Sequence, residues 1–160
     1  MRTAKTVLTV IQERGKQHKP IERVYKLLFN RDFYLNAYAK LYPNNGAMTK
    51  GVTDETVDGM SIQKIDRMIE LLREEKYQWK PARREYIPKK NGKKRPLGIP
   101  AWGDKLLQEV MREILEAYYE PQFSNHSHGF RPNRGCHTAL QEIQIWKGTR
   151  WFIEGDISKY

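Results

Sequence analysis

Arg83-Arg84-Glu85-Tyr86-Ile87-Pro88-Lys89-Lys90-Asn91-Gly92-Lys93-Lys94-Arg95-Pro96-Leu97-Gly98-Ile99-Pro100 reads as a β-hairpin. Asn91-Gly92 is a strong signal for a two-residue turn, because that turn needs φ > 0 at both central positions. Tyr86 and Ile87 precede the turn, and Leu97 and Ile99 follow it. Lys89, Lys90, Lys93, Lys94 and Arg95 crowd the tip. A cluster of cations on a short projection suits a polyanion, and phosphate above all. A charged turn also protects a sheet edge from aggregation, and spacing alone leaves both readings open.

The charge around the hairpin is not a general property of the chain. The 160 residues carry a net charge of +10. Between Lys76 and Lys105 ten cations face only Glu85 and Asp104, which concentrates most of that excess in one stripe. Such a stripe favours nucleic acid over a diffuse solubility charge. With 39% hydrophobic and 30% charged residues, the chain is long enough for one globular domain with a core. A single cysteine, Cys136, excludes an internal disulfide framework and a cysteine-rich zinc site. No apolar run reaches membrane-spanning length. The start, Met1 to Leu8, is basic but lacks the apolar centre of a signal peptide, so a cytoplasmic protein is expected, with a transit peptide as the weaker alternative.

Helices flank the hairpin on both sides. Residues from about Pro20 to Leu41 carry helical spacing, Ile21, Val24, Leu27 and Leu28 first, then Phe33, Ala37, Tyr38 and Leu41. Asn30-Arg31-Asp32 marks a break, with Asp32 as a candidate cap of the second piece. Residues 42–59, with Pro43-Asn44-Asn45-Gly46, Lys50-Gly51 and Asp58-Gly59, form a loop too long for a mere connection, and so either functional or disordered. Ser61 is expected to cap a helix whose apolar face is Ile62, Ile65, Met68, Ile69 and Leu72. After the hairpin, Asp104 is expected to cap a helix to residue 119. Its broad stripe (Leu106, Leu107, Val110, Met111, Ile114, Leu115, Tyr118) suits packing beneath a sheet, and Pro121 closes it. Residues 124–135 are polar and turn-rich, and a last helix spans 136–147.

Arg150 to Ile157 reads as a strand with nearly continuous apolar residues, as in a strand buried on both faces. Asp156 is out of place there, since a carboxylate beside a core is costly unless it is paired or bound to metal. The alternative is a cap or turn residue after a strand. His126, His128 and His137 fit no standard zinc spacing. Cys136 is expected in the core, and Trp146, Trp151 and Phe152 are expected there rather than as base-stacking platforms.

The ordered set of segments resembles a known family. It comprises Asn44-Asn45-Gly46-Ala47-Met48-Thr49, then Arg95-Pro96-Leu97-Gly98-Ile99-Pro100, then Ser127-His128-Gly129-Phe130-Arg131-Pro132, then Glu154-Gly155-Asp156-Ile157. From about Ile21 to Tyr160 the chain is similar to the N-terminal part of the bacterial group II intron-encoded reverse transcriptases, or maturases. The resemblance implies an α+β fold, mostly helical with a basic hairpin, forming the fingers and the first palm strand of a right-hand polymerase. It divides the chain into an N-terminal extension (1–19), a helical extension (20–82) with a template-side loop at 42–59, fingers (83–149, with the hairpin at 84–100) and the start of the palm (150–160). It implies that Asp156 binds two magnesium ions with help from the Ile157 backbone carbonyl. Lys89 and Arg95 would contact the triphosphate of the incoming dNTP. Lys90, Lys93, Lys94, Arg131, Asn45, Gly46 and Thr49 would contact RNA. The implied partners are structured intron RNA and an RNA template with a DNA primer, in splicing and mobility, in a bacterial cytoplasm.

One departure is large. The family's second catalytic motif is an aromatic residue before two adjacent aspartates, and the sequence has no Asp-Asp pair. The 160 residues are therefore expected to be a fragment of a polymerase, or a truncated reading frame, that binds RNA but does not polymerise by itself. A non-catalytic RNA-binding module, or the fingers of a retron or CRISPR-associated reverse transcriptase, are the alternatives.

Overall fold

Thr3 starts the first helix, its hydroxyl accepting a hydrogen bond from the Thr6 N–H at 3.3 Å. The computed structural model of the chain describes residues 2–90, 92–155 and 157. Helix α1 is Ala4–Lys16, so the stretch 1–19, read from the sequence only as an extension, is mostly helical. Its signal was weak because two of its three buried residues are Ala4 and Gly15, which carry little hydropathy. Gly15 lies so close to the helix after the hairpin that a Cβ would sit 2.2 Å from the carbonyl oxygen of Tyr118. Close approach of two backbones is what makes this small surface a core contact.

A single turn, α2 (Val24–Leu27), leads to α3 (Arg31–Leu41), so the break falls where expected. The cap differs. Asn30 caps α3, its side-chain oxygen accepting from the Asp32 N–H at 3.1 Å. Asp32 instead accepts the Ala4 N–H at 2.6 Å, satisfying an orphan donor at the start of α1. Ser61 caps α4 (Ile62–Arg73) as expected, and the buried face is Ile65, Met68, Ile69 and Leu72.

Helix α5 (Trp102–Tyr119) begins before the expected cap, at Ala101, which makes no side-chain cap bond. Asp104 lies inside the first turn, 3% exposed. Its carboxylate accepts from the Tyr77 hydroxyl at 2.5 Å and from the Lys80 N–H at 2.9 Å. Two protein donors and the positive end of the helix offset the cost of burying that charge. The stripe of α5 packs on α1 and α3, not beneath a sheet. Phe33, Tyr34, Leu106, Leu107, Val110 and Ile114 are sealed from water, each stabilising the fold by about 1.5–3 kcal/mol. The Tyr34 hydroxyl donates to the Leu28 carbonyl at 2.8 Å, which satisfies the one polar atom of that ring.

The long loop 42–59 is ordered. It wraps a second small core of Ala47, Val57 and Trp102, backed by Tyr38, Leu41 and Met60. The Val57 N–H donates to the Ala47 carbonyl at 3.3 Å and Lys64 Nζ donates to the Gly59 carbonyl at 2.6 Å. The buried indole of Trp102 is what the loop folds around.

The chain divides into two compact units, one ending at Gln122 and one beginning at Phe123. In the second, α6 is Cys136–Gln144, shorter than the expected 136–147. Cys136, Trp146, Trp151 and Phe152 are exposed there, not in a core. Residues 150–155 form no strand. A strand exists only as part of a ladder, and no described segment pairs with this one. Asp156 lies outside the described residues. Among the described residues the fold is therefore α+β, six α-helices, two short 3-10 turns and one two-stranded antiparallel sheet. None of the described helices is long and apolar enough to cross a membrane.

Candidate nucleic-acid interface

Strands β1 (Arg83–Pro88) and β2 (Lys94–Ile99) pair antiparallel, with Arg83 opposite Ile99, Ile87 opposite Arg95 and Pro88 opposite Lys94. The ladder closes one step further out, where the Lys89 N–H donates to the Lys93 carbonyl at 2.7 Å. The Gly92 N–H then donates to the Lys89 carbonyl at 3.0 Å, and Gly92 has φ 75. This is a three-residue connection, a turn followed by a left-handed glycine, and not the two-residue turn expected from Asn91-Gly92. Asn91 itself lies outside the described residues.

The difference of one residue decides which side chains share a face. Residues directly opposite in an antiparallel pair point the same way, and a slip of one reverses every assignment. In the observed register Lys89, Lys93 and Arg95 share a face with Ile87 and Leu97. Lys94 lies on the other face with Tyr86. A two-residue turn would have put Lys89 and Arg95 on opposite faces. All five cations of the tip are solvent-exposed.

The base of the hairpin is fastened to the loop 42–59. The Arg83 guanidinium donates to the Lys50 carbonyl from Nε at 3.2 Å and from a terminal nitrogen at 3.0 Å, while its other arm meets the Glu85 carboxylate. Gly51 is buried, and a Cβ there would lie 2.5 Å from the Pro100 carbonyl oxygen and 2.8 Å from Ala101. Lys105 Nζ donates to the Gly46 carbonyl at 3.1 Å, and partial burial holds its pKa below the usual lysine range. Asn45, Gly46 and Thr49 are exposed on this loop, each with its backbone in an ordered turn.

In the second unit, Arg131 is engaged with its own loop. One guanidinium nitrogen donates to the Ser124 and Ser127 carbonyls at 2.7 and 2.9 Å, and the group stacks 5.3 Å from the Phe123 ring centre. This holds Phe130, with φ 56, fully out in solvent. His126 and His128 both bond Glu142, the latter from Nε2 at 2.7 Å, and His128 Nδ1 meets the Thr138 hydroxyl at 2.8 Å. Those two imidazole bonds hold the Glu142 carboxyl below the usual carboxylate range. Ile157 is exposed. Among the described residues no three His, Cys, Asp or Glu side chains gather as a metal site.

Sequence reading missed two features of the interface. One is the bond from Arg83 to the loop, which no spacing signals. The other is the exposed Trp79, 50% accessible, beside the hairpin.

Residues 87–160 match the family model described as "Reverse transcriptase (RNA-dependent DNA polymerase)". That span begins inside β1 and contains β2 and the cationic tip. The chain thus carries part of a reverse transcriptase domain. The relatives narrow this further. The chain is 55% identical over 137 residues to the group II intron-encoded protein LtrA of Lactococcus lactis, covering 84% of this chain and 23% of that protein. It is 48% identical over 162 residues to an uncharacterized 91 kDa protein in a cob intron of Schizosaccharomyces pombe, covering 96% of this chain and 20% of that protein. A shorter match, 43% over 61 residues, covers 38% of this chain and 9% of nuclear intron maturase 1 of Arabidopsis thaliana. Beyond that domain, the chain is homologous to group II intron-encoded proteins and intron maturases, and it spans about a quarter or less of the length of these relatives.

Proposed function

We propose that this chain supplies the nucleotide- and template-gripping fingers, and the beginning of the palm, of an RNA-directed DNA polymerase that also binds intron RNA. The observation that carries this reading is the hairpin register, which gives Lys89 and Arg95 a common face at an exposed tip. In this reading the two cations neutralise the triphosphate of the incoming dNTP. Arg95 offers a planar fork that matches two phosphate oxygens, while Lys89 acts as a compact charge. Lys90, Lys93 and Lys94 add electrostatic attraction for RNA. Asn45, Gly46 and Thr49 contact the template strand from the ordered loop whose neighbour Lys50 is tied to Arg83. Arg131 contributes by shaping its loop, because its guanidinium bonds two carbonyls there.

The charge that builds on a transferring phosphoryl group is stabilised by fixed cations and metal ions. Asp156 and the Ile157 carbonyl are the proposed magnesium ligands of this chain. The described residues do not supply a full ligand set, and magnesium needs several oxygens in a tight octahedron. No catalytic step is therefore assigned to the chain alone, and the isolated 160 residues are proposed to bind RNA without extending a primer.

The test uses single-turnover nucleotide addition and equilibrium RNA binding, in a full-length relative into which this segment is grafted. Arg95→Ala is expected to slow addition by roughly thirty- to a thousandfold, on the order of 2–4 kcal/mol, with RNA affinity nearly unchanged. If RNA affinity falls as much as the rate, Arg95 grips template and the assignment to the triphosphate is wrong.

A further inference from the structure

The segment between α4 and β1 carries an exposed tryptophan on a rigid mount. Trp79 stands between Tyr77 and Lys80, and both of these neighbours are anchored to one buried carboxylate. The Tyr77 hydroxyl and the Lys80 N–H donate to the two oxygens of Asp104, at 2.5 and 2.9 Å. The Trp79 ring packs edge-on against the Tyr77 ring, with centres 5.6 Å apart. Half of the indole nevertheless remains in solvent. It borders a groove of about 580 Å³ floored by Met68, Leu71 and Gly103 and flanked by Lys76 and Lys80.

A large aromatic side chain left half exposed is a cost unless something covers it. The surroundings specify what would. The groove has two cations at its margin, and the Lys76 ammonium is paired with the solvent-exposed Glu74, a partner that a phosphate readily replaces. The groove begins the stretch that holds ten cations against two carboxylates. By contrast, a groove of similar size beside α1 balances Arg2, Arg31 and Arg73 against Asp32, Asp66 and Glu70, and its Arg31 is already bound in bidentate fashion by Asp66 at 2.6 Å.

We propose that Trp79 is a stacking platform for an unpaired RNA base, with Lys76 and Lys80 beside it for the phosphates that flank that base. Every base presents a π-face, so such a platform grips a strand without reading its sequence. The Asp104 anchor matters because an indole held in place loses little freedom when a base stacks on it. This inference rests on the RNA-binding reading above and adds a contact site separate from the hairpin tip.

The test is an anisotropy titration of a labelled oligouridine with the 160-residue chain, repeated across a salt series. Trp79→Ala is expected to weaken binding between about fivefold and a hundredfold, the range for losing one stacked base. The slope of log affinity on log salt should not change, because no charge is lost. Trp79→Phe should retain most of the affinity, Trp79→Leu should not, and an abasic version of the strand should bind the unaltered chain as weakly as it binds Trp79→Ala. Unchanged affinity in Trp79→Ala, in a chain whose Lys90, Lys93 and Lys94 variant still flattens the salt slope, would overturn the platform while leaving RNA binding intact. Rescue by leucine as complete as by phenylalanine would overturn it too, since that marks an apolar contact without stacking. If neither the tryptophan nor the lysines matter, the RNA-binding reading itself fails. Thermal melts accompany each variant, and should Trp79→Ala not fold, the phenylalanine and leucine variants decide the question.

Discussion

Helix α5 and the hairpin before it are separated by only Pro100 and Ala101, yet they are built on opposite terms. The helix buries Trp102, Leu106, Leu107, Val110 and Ile114 against α1, α3 and the loop 42–59. The hairpin leaves even its apolar residues wet, with Tyr86 56% and Leu97 44% exposed. A two-stranded sheet has little stability of its own in water. This one is held at its base, by Arg83 on the Lys50 carbonyl and by the close fit of Gly51 under Pro100. The contrast separates two tasks. The helix stabilises the chain, and the hairpin holds its cations out in solvent.

That separation can be broken from either side. Leu107→Ala empties a site with no solvent access and should cost about 2–5 kcal/mol in denaturant unfolding. Loss of less than about 1 kcal/mol would mean that the α1–α3–α5 core is not the stabilising element. Asp104→Ala should come next, at about 1–3 kcal/mol, since it leaves the Tyr77 hydroxyl and the Lys80 N–H without their acceptor. Burial and the bond to Asp104 also push the Tyr77 phenol pKa upward, so the phenol should titrate at lower pH in this variant. A Tyr77 titration that stays put would show that the carboxylate is not what restrains the ring.

The hairpin should behave in the reverse way. Lys90, Lys93 and Lys94 changed together to Ala should alter stability by no more than about 0.5 kcal/mol per site. The same change should reduce the salt slope of RNA binding by up to about 2, at ~0.7 per single-strand phosphate contact. An unchanged slope in filter binding would mean that the tip does not meet phosphate.

The smallest effect is expected in the second unit. The Glu142 carboxyl has a folded pKa below its ordinary value of 4.5, held there by His126 and then His128. A lowered folded value means that the contribution is fully present above 4.5 and fades as pH falls through the folded value. Amide signals of Gly129 and Gly135, followed by NMR, should therefore shift on the acid side of 4.5. Glu142→Gln should remove that transition. Its persistence would assign the change to another group.

Much of this was readable before any coordinates. Ser61 caps α4 as its position suggests, because a cap is a contact between residues three apart. The break near Asn30 and the broad stripe of α5 follow from local spacing in the same way. Asp32 and Asp104 were misread for one reason. Each has the side chain of a cap, but its donors come from residues 28, 27 and 24 positions away. The strand expected from Arg150 is the converse case, since the apolar pattern is real but residues 150–155 have no paired partner among the described residues, and a ladder needs a second strand to define it.

The sequence by itself determined the family resemblance, the helical spacing of the body and the location of the cations, since all three depend only on which residues stand in which order. The tertiary structure decided what those cations can do together. Asn91-Gly92 is compatible with two connection lengths, and only the closed ladder, with the Lys89 N–H on the Lys93 carbonyl, selects the one that puts Lys89 and Arg95 on a single face. Likewise, nothing in local spacing ties the loop 42–59 to the hairpin. The tie exists because Trp102 buries its indole within that loop and Arg83 reaches its backbone, contacts that form only once the chain has folded.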